Sequence, residues 1–305
     1  MIFKQATIES HLVTDSDIND CLLIDKPSKI STFDIIRNLK RYFNIKIKIG
    51  HGGTLDPFAT GLVVILFGKS TKIQQFIQHS RKRYIGKIIL GVKTDTLDMT
   101  GKILKKEQVP EPSQKDILNI RNEILSINLQ IPPKYSAVKK NGIPLYKYAR
   151  KGINVSVQPR EIKIYDFEIT DYKYPYITFK IEVSGGTYIR SLAESVGNIL
   201  KTYASLEELR RLTIDNITVE NAVPLSSINS FEDINVNLIS SSNLINMPEI
   251  IINMSMQKDI IHGKSITIGT TNSNNRLFKL IFRKKLIAIG KLADDNRIHP
   301  VKVLV

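Results

Sequence analysis

A single cysteine, Cys21, is present in the 305 residues, which excludes an intramolecular disulfide framework and any zinc site built on a cysteine cluster. Such a chain fits a reducing compartment. Cys21 lies in the apolar run Cys21-Leu22-Leu23-Ile24 and reads as core. The first twenty residues carry Glu9, Asp15, Asp17 and Asp20 and no apolar stretch long enough for a signal peptide or membrane span. The protein is therefore expected to be soluble, unexported and cytoplasmic. No tandem repeat occurs at periods of about 20 to 50 residues, so a solenoid or propeller is not expected. Acidic residues are also short: Asp and Glu total 29 against 44 Lys and Arg, a formal charge of +15. This surplus favours a polyanionic partner such as nucleic acid or an anionic membrane surface. Codon bias would enrich lysine, but it does not explain why acidic residues fail to balance it. His11, His79, His262 and His299 show no ligand spacing with one another or with acids, so no metal is expected.

With 42% hydrophobic residues, the length suits one large and one small domain. Cys21 to Ile24 reads as a short strand. Ser31, with Asp34 three residues on, forms a capping box opening a helix to about Phe43, with Ile35, Ile36, Leu39 and Phe43 on one face. Leu62 to Phe67 is a continuous apolar strand, Thr71 to His79 a helix, and Arg83 to Gly91 a strand. Ser113 with Asp116 opens a second capped helix whose apolar stripe is Ile117, Ile120, Ile124 and Ile127. Ile177 to Ser184 alternates apolar and polar residues, as an antiparallel strand with one wet face should. It turns through Gly185 and Gly186 into a helix over Ile189 to Leu200. Ser226 to Asn246 is rich in Ser and Asn. Beyond Pro248, the runs Ile250 to Met254, Leu277 to Arg283 and Leu286 to Leu292, broken by the polar loop Thr270 to Arg276, predict a small β-rich module. The fold class is α+β, with a mixed, mainly antiparallel sheet flanked by helices.

The segment Gly50-His51-Gly52-Gly53-Thr54-Leu55-Asp56-Pro57-Phe58-Ala59-Thr60-Gly61 is the most unusual in the chain. Glycine allows positive φ and close backbone approach, and Pro57 fixes φ directly after the acid. Two readings stand at this point: a loop that presents Asp56 in one orientation for chemistry, or a turn with a capping Asp. The segment lacks the Gly-Lys-Ser/Thr ending of a phosphate-binding loop and the Gly-x-Gly-x-x-Gly of a dinucleotide fold, which disfavours nucleoside triphosphate and NAD enzymes.

This segment resembles the catalytic motif of the bacterial tRNA pseudouridine-55 synthases, a family related to the eukaryotic and archaeal guide-RNA-dependent pseudouridine synthases. Further similarities follow in the family's order. Asp25-Lys26-Pro27 with Ser31 resembles the opening motif, Lys82-Arg83-Tyr84 the tyrosine motif, and Thr94 to Gly101 the acidic turn. Ile131-Pro132-Pro133-Lys134-Tyr135-Ser136-Ala137-Val138-Lys139 is similar to the central loop, Gly186-Thr187-Tyr188-Ile189-Arg190 to the arginine motif, and Leu209-Arg210-Arg211-Leu212 to the late catalytic segment. The resemblance covers about residues 21 to 225. Weaker similarity, through Ile287-Ala288-Ile289-Gly290 and Arg297-Ile298-His299-Pro300, links the tail to the family's PUA-like RNA-binding domain. Residues 1–20 have no counterpart in the family and read as a flexible N-terminal extension; the resemblance implies a catalytic domain over 21–247 and a PUA-like domain over 248–305.

The resemblance implies that Asp56 acts on a flipped uridine of the tRNA T-arm, as nucleophile or by helping expel the uracil anion. Either role needs an ionised carboxylate in a dry pocket, hence a nearby cation. Arg190 matches the family's arginine, with a tRNA phosphate contact or a plain surface charge as the competing reading. Tyr84 matches the stacking tyrosine, for which the resemblance also implies a catalytic role as a base at the sugar, and Tyr188 the pocket tyrosine beside the arginine, both receiving the flipped base. His51 is implied to support the RNA, and Leu209 to contribute an apolar or backbone contact. Lys26 is a supporting residue, either an electrostatic buttress or a buried ion-pair member. Asp95 and Asp98 could hold magnesium by their spacing, but a turn whose side chains satisfy backbone amides is the simpler reading. Lys139, Lys140, Lys147, Arg150, Lys151, Arg210 and Arg211 would track phosphates. The expectation is an isomerase with no cofactor, acting on tRNA as a monomer with no required protein partner and no membrane association. The alternatives are a tRNA-folding protein with secondary catalysis and a guide-RNA-dependent isomerase.

Overall fold

The computed structural model describes residues 18–268 and 276–304. Most of the expected N-terminal extension and all of the expected polar loop except Arg276 lie outside them. Two compact units form: one from residues 18–57, 61–78, 215–268 and 276–304, the other from 58–60 and 79–214. The α+β class holds, with a β-rich C-terminal part.

In the first unit, strand Cys21–Lys26 runs antiparallel to Thr60–Phe67, from the pair Cys21 and Leu66 to the pair Lys26 and Gly61. It also pairs in parallel with Val223–Pro224, which makes this a mixed sheet. Leu62 through Phe67 are all fully buried, so no side of this strand is wet and its sequence shows an unbroken apolar run. Helix Thr32–Tyr42 begins where the sequence predicts. Ser31 accepts from Asp34 N while the Asp34 carboxylate accepts from Ser31 N, and Ile35 and Leu39 are fully buried. The predicted helix Thr71 to His79 is instead a 3₁₀ turn, Gly68–Ile73, continuing into helix Gln74–His79. Asn19 belongs to this framework: its side chain accepts from Lys69 N at 2.7 Å, and its carbonyl accepts from Ser70.

The C-terminal five-stranded sheet has the order Glu249–Ile251, Leu277–Phe282, Lys285–Leu292, Arg297–Val303, Ile266–Thr267. Its core holds Ile252, Ile260, Phe278, Leu280, Ile287 and Ile298. The predicted strand to Met254 stops at Ile251, because the Asn253 side chain accepts from Met256 N and caps helix Met254–Ile261. The Ser- and Asn-rich stretch contains a further capped helix, Phe231–Asn235, with Ser230 and Asp233 as its capping box.

The second unit is an antiparallel sheet of Ile164–Lys173, Tyr176–Val183, Lys82–Leu90 and Ala204–Ile214, in that order. Ile177, Phe179, Ile181 and Val183 are buried, as the alternation predicts, and Phe179 stacks on Phe167 at 5.6 Å between ring centroids. Helices Gln114–Ser126 and Ile189–Ile199 pack with this sheet and with each other. Ile120 and Ile124 of the predicted stripe are fully buried, whereas Ile117 and Ile127 at its ends are only partly covered. Between Gln130 and Arg160 the chain makes an insertion, closed at its base by the antiparallel pair Leu129–Gln130 and Arg160–Glu161.

Candidate functional site

In the first unit, the glycine segment starts as strand Ile49–His51 paired with Thr60–Phe67, and the pairing ends with Gly52 N donating to Val64 O at 2.8 Å. A Cβ on Gly52 would lie 2.5 Å from Ile77 Cγ2, so only glycine fits against this core residue. Gly53 has φ of 140° and turns the chain away. Gly53 N donates to His51 Nδ1 at 3.3 Å, which places the proton of a neutral His51 on Nε2.

Both neighbours of Asp56 are anchored. Leu55, which is buried, donates its N–H to Thr32 Oγ1 at 3.0 Å, and its carbonyl accepts from the same hydroxyl at 3.2 Å. Pro57 O accepts from Lys29 N at 2.8 Å and from Lys26 Nζ at 3.1 Å. Asp56 itself is half-buried. The backbone on both sides of Asp56 is thus held in place. Lys26 is fully buried, and its ammonium also donates to Pro27 O at 2.8 Å and Ile30 O at 2.9 Å. A charge withdrawn from water needs such compensation. Lys26 thereby ties the end of its strand to the carbonyl one residue past Asp56.

In the second unit, Tyr84 lies on Lys82–Leu90 between Ile181 and Arg211 of the adjacent strands, at 7% exposure. Leu209, equally covered, is in register with Gly86. Tyr188 is the N-cap of helix Ile189–Ile199, and Arg190 is the helix's second residue. Arg190 is 4% exposed, and its guanidinium donates to Thr96 O at 2.9 Å and Tyr135 O at 3.0 Å. Asp98 Oδ2 lies 3.5 Å from Arg190 Nη1, both side chains being 5% exposed. The other oxygen, Asp98 Oδ1, accepts from Thr96 Oγ1 and Thr100 N, each at 3.0 Å, and from Thr100 Oγ1.

The acidic turn therefore does satisfy backbone amides, with Asp95 accepting from Lys102 N at 2.8 Å as well. Asp98 has a second role that sequence reading missed, as the acid facing Arg190. No periodicity could reveal it, because the two residues lie on separate elements far apart in the chain. Tyr135 joins the same cluster, its hydroxyl 3.4 Å from Asp95 Oδ2 and its carbonyl on Arg190. Burial, and then the Asp95 charge, push the Tyr135 hydroxyl's pKa upward, so it remains a donor.

Lys139, Lys140, Lys147, Arg150 and Lys151 are exposed on the insertion, as phosphate tracking requires. Arg211 is not: at 1% exposure it is a buried strand residue, in register with Tyr84, and so leaves the predicted surface track. Among the described residues, no helix is long and apolar enough to cross a membrane.

Residues 40–189 match the family described as TruB family pseudouridylate synthase, N-terminal domain. Similar proteins include the tRNA pseudouridine synthase B of Caldicellulosiruptor saccharolyticus, 40% identical over 296 residues that span 94% of this chain and 99% of the relative. The protein of the same name from Clostridium tetani is 43% identical over 212 residues, 70% of this chain and 73% of the relative. Among solved structures, the archaeal box H/ACA sRNP Nop10–Cbf5 complex contains a chain of similar fold. Its TM-score is 0.69 at 20% identity, over 98% of this chain and 92% of that one. A Cbf5–Nop10–Gar1 complex gives the same score at 22% identity, covering 94% and 85%. At these identities the likeness is one of fold.

Proposed function

The chain belongs to the TruB family of pseudouridylate synthases, and from that premise we propose that it isomerises uridine 55 in the T-arm of tRNA to pseudouridine. The N1–C1′ bond breaks, the base turns within the site, and C5 bonds to C1′. The proton lost from C5 is balanced by one gained at N1. Substrate and product are isomers, so the conversion involves no net redox change.

In this reading Asp56 is the nucleophile. The observation that carries it is the double anchoring of its neighbours, Leu55 on Thr32 and Pro57 on Lys26 and Lys29, which presents one half-buried carboxylate from an otherwise glycine-rich loop. A fixed reacting group saves the entropy of finding its attack geometry. Tyr84 and Tyr188 stack the flipped uridine, Leu209 adds an apolar contact, and His51 supports the extruded RNA. Arg190 is the cation that favours an ionised acid, and Lys26 holds the Asp56 loop. The exposed lysines of the insertion take tRNA phosphates. Residues 21–247 act as the catalytic domain and 248–305 as a PUA-like RNA-binding domain, in a monomer working in the cytoplasm.

Purified protein incubated with tRNA lacking the modification should form pseudouridine at position 55 without any guide RNA, and Asp56→Asn should abolish it. Full activity in Asp56→Asn would remove the core of the proposal.

A further inference from the structure

Gln130 is buried at 7% exposure, an unusual place for a primary amide unless both its ends are satisfied. Both are satisfied by one residue. Gln130 Oε1 accepts from Tyr188 N at 2.7 Å, and Gln130 Nε2 donates to Tyr188 O at 3.0 Å. The side-chain amide thus binds Tyr188 as a neighbouring strand would, through paired donor and acceptor. Tyr188 is the N-cap of the helix that carries Arg190, and its own side chain makes no capping hydrogen bond. The helix start is therefore held from outside, by a residue brought from the base of the insertion.

That position matters. Gln130 is the last residue of the strand Leu129–Gln130, directly before Ile131-Pro132-Pro133, where the insertion with its exposed lysines departs. Five residues on, the Tyr135 carbonyl accepts from Arg190 at 3.0 Å. The insertion thus grips the Tyr188 to Arg190 segment at its main chain through Gln130 and at its guanidinium through Tyr135.

We propose that Gln130 is a positioning residue for the isomerisation: by clasping the main chain of Tyr188, it sets the aim of the Tyr188 ring and of the Arg190 guanidinium at the flipped nucleotide. This rests on the reading of the protein as a tRNA uridine isomerase. Both ends of the Gln130 amide are engaged by Tyr188, so in this proposal it acts through Tyr188 and not on the substrate directly. Its removal should therefore slow the chemical step and leave tRNA binding, which depends on the exposed cations, nearly as it is.

Two variants test this with full-length protein and unmodified tRNA labelled with tritium at uridine C5. Tritium release is followed at saturating enzyme in a single turnover, and affinity is measured separately by filter binding. Gln130→Ala should release tritium about 10- to 100-fold more slowly, the order expected when a reacting group is misplaced by a fraction of an ångström to 1 Å. Its tRNA Kd should stay within roughly threefold of wild type, which corresponds to less than half of a tenfold step in free energy.

Gln130→Glu separates positioning from general folding support. A protonated carboxyl offers one donor and one acceptor, as the amide does here, whereas a carboxylate only accepts and would repel Tyr188 O. The charged groups on the elements bearing on this position are Arg160, in register opposite Gln130, Glu161 beside it, and Arg190 and Glu194 on the clasped helix. The Gln130→Glu rate, divided by the wild-type rate at each pH, should rise as pH falls through the carboxyl's pKa, which burial lifts above its ordinary value of about 4.3. If Gln130→Ala does not fold, this ratio alone decides.

A wild-type rate in Gln130→Ala, a loss accounted for entirely by Kd, or a flat Gln130→Glu ratio would each overturn the inference while leaving the isomerase reading standing. Absence of tritium release from the wild-type protein would instead overturn that reading, and this inference with it.

Discussion

Replacing Asp98 by Asn keeps the side chain's shape and removes its charge from beside Arg190. The two groups are 3.5 Å apart and 5% exposed. With an effective dielectric of about 20, opposite unit charges at that separation attract by about 5 kcal/mol before desolvation is counted. The net loss should be smaller. Arg190 retains the carbonyls of Thr96 and Tyr135, and an Asn side-chain oxygen still accepts from Thr100 N. Removing one member of a buried pair typically costs about 3–5 kcal/mol, so about 3 kcal/mol is expected for Asp98→Asn. Urea unfolding followed by circular dichroism measures it. Asp95→Asn is the internal control: its carboxylate serves Lys102 N and, at 3.4 Å, the Tyr135 hydroxyl, so about 1 kcal/mol should be lost. If Arg190 aims at the nucleotide, Asp98→Asn should also slow tritium release by about 100-fold, whereas Asp95→Asn should not. Equal stability and rate for Asp98→Asn and wild type would refute the account of Asp98 as the partner that holds Arg190.

Two further outcomes follow from the first unit. Ser31→Ala should cost about 1 kcal/mol at neutral pH, because the cap to Asp34 N is lost. The Ser31 hydroxyl, with its backbone amide and Arg37 adding to it, holds the Asp34 carboxyl below its ordinary pKa. A depressed carboxyl contributes stability above its unfolded pKa of about 3.9 and loses it as pH falls through the folded value. The difference in urea midpoint between wild type and Ser31→Ala should therefore be greatest near pH 7 and shrink below about pH 4; a difference constant with pH would count against the linkage. Gly52→Ala should cost about 1–3 kcal/mol through the 2.5 Å approach to Ile77 and slow the reaction by shifting the loop before Asp56. Unchanged stability and tritium release in Gly52→Ala would show that the loop yields without consequence.

Much of the fold was legible because its signals are local. Ser31 with Asp34 and Ser113 with Asp116 start helices within one turn of the residues that announce them, and the alternation from Ile177 to Val183 states which face is buried. Ser230 with Asp233 has the same form but precedes a helix of only five residues, too short to show a 3.6-residue stripe. The strand predicted through Met254 failed at Asn253, whose cap competes with an apolar run of ordinary strand composition. Asp56 stood out through glycine and proline, which act on the chain immediately around them. The partners of Arg190 and Tyr188 did not stand out. Asp98, Tyr135 and Gln130 reach them across separate elements, and side-chain pairing between distant segments leaves no periodic trace in a single sequence. Arg211 was misplaced for a related reason: adjacent Arg residues read as one charged patch, yet on a strand consecutive side chains face opposite sides.

The lone cysteine has a practical bearing on how motion in this protein can be watched. Cys21 is fully covered in its strand, and burial pushes its thiol far above the ordinary range, so almost none of the reactive thiolate exists near neutral pH. A cysteine introduced on the exposed insertion, at Lys147 for example, would then be the sole site open to a maleimide dye or spin label. The native sequence is in effect already a cysteine-silent background, in which the arm that Gln130 anchors can be tracked through a turnover without first altering the core.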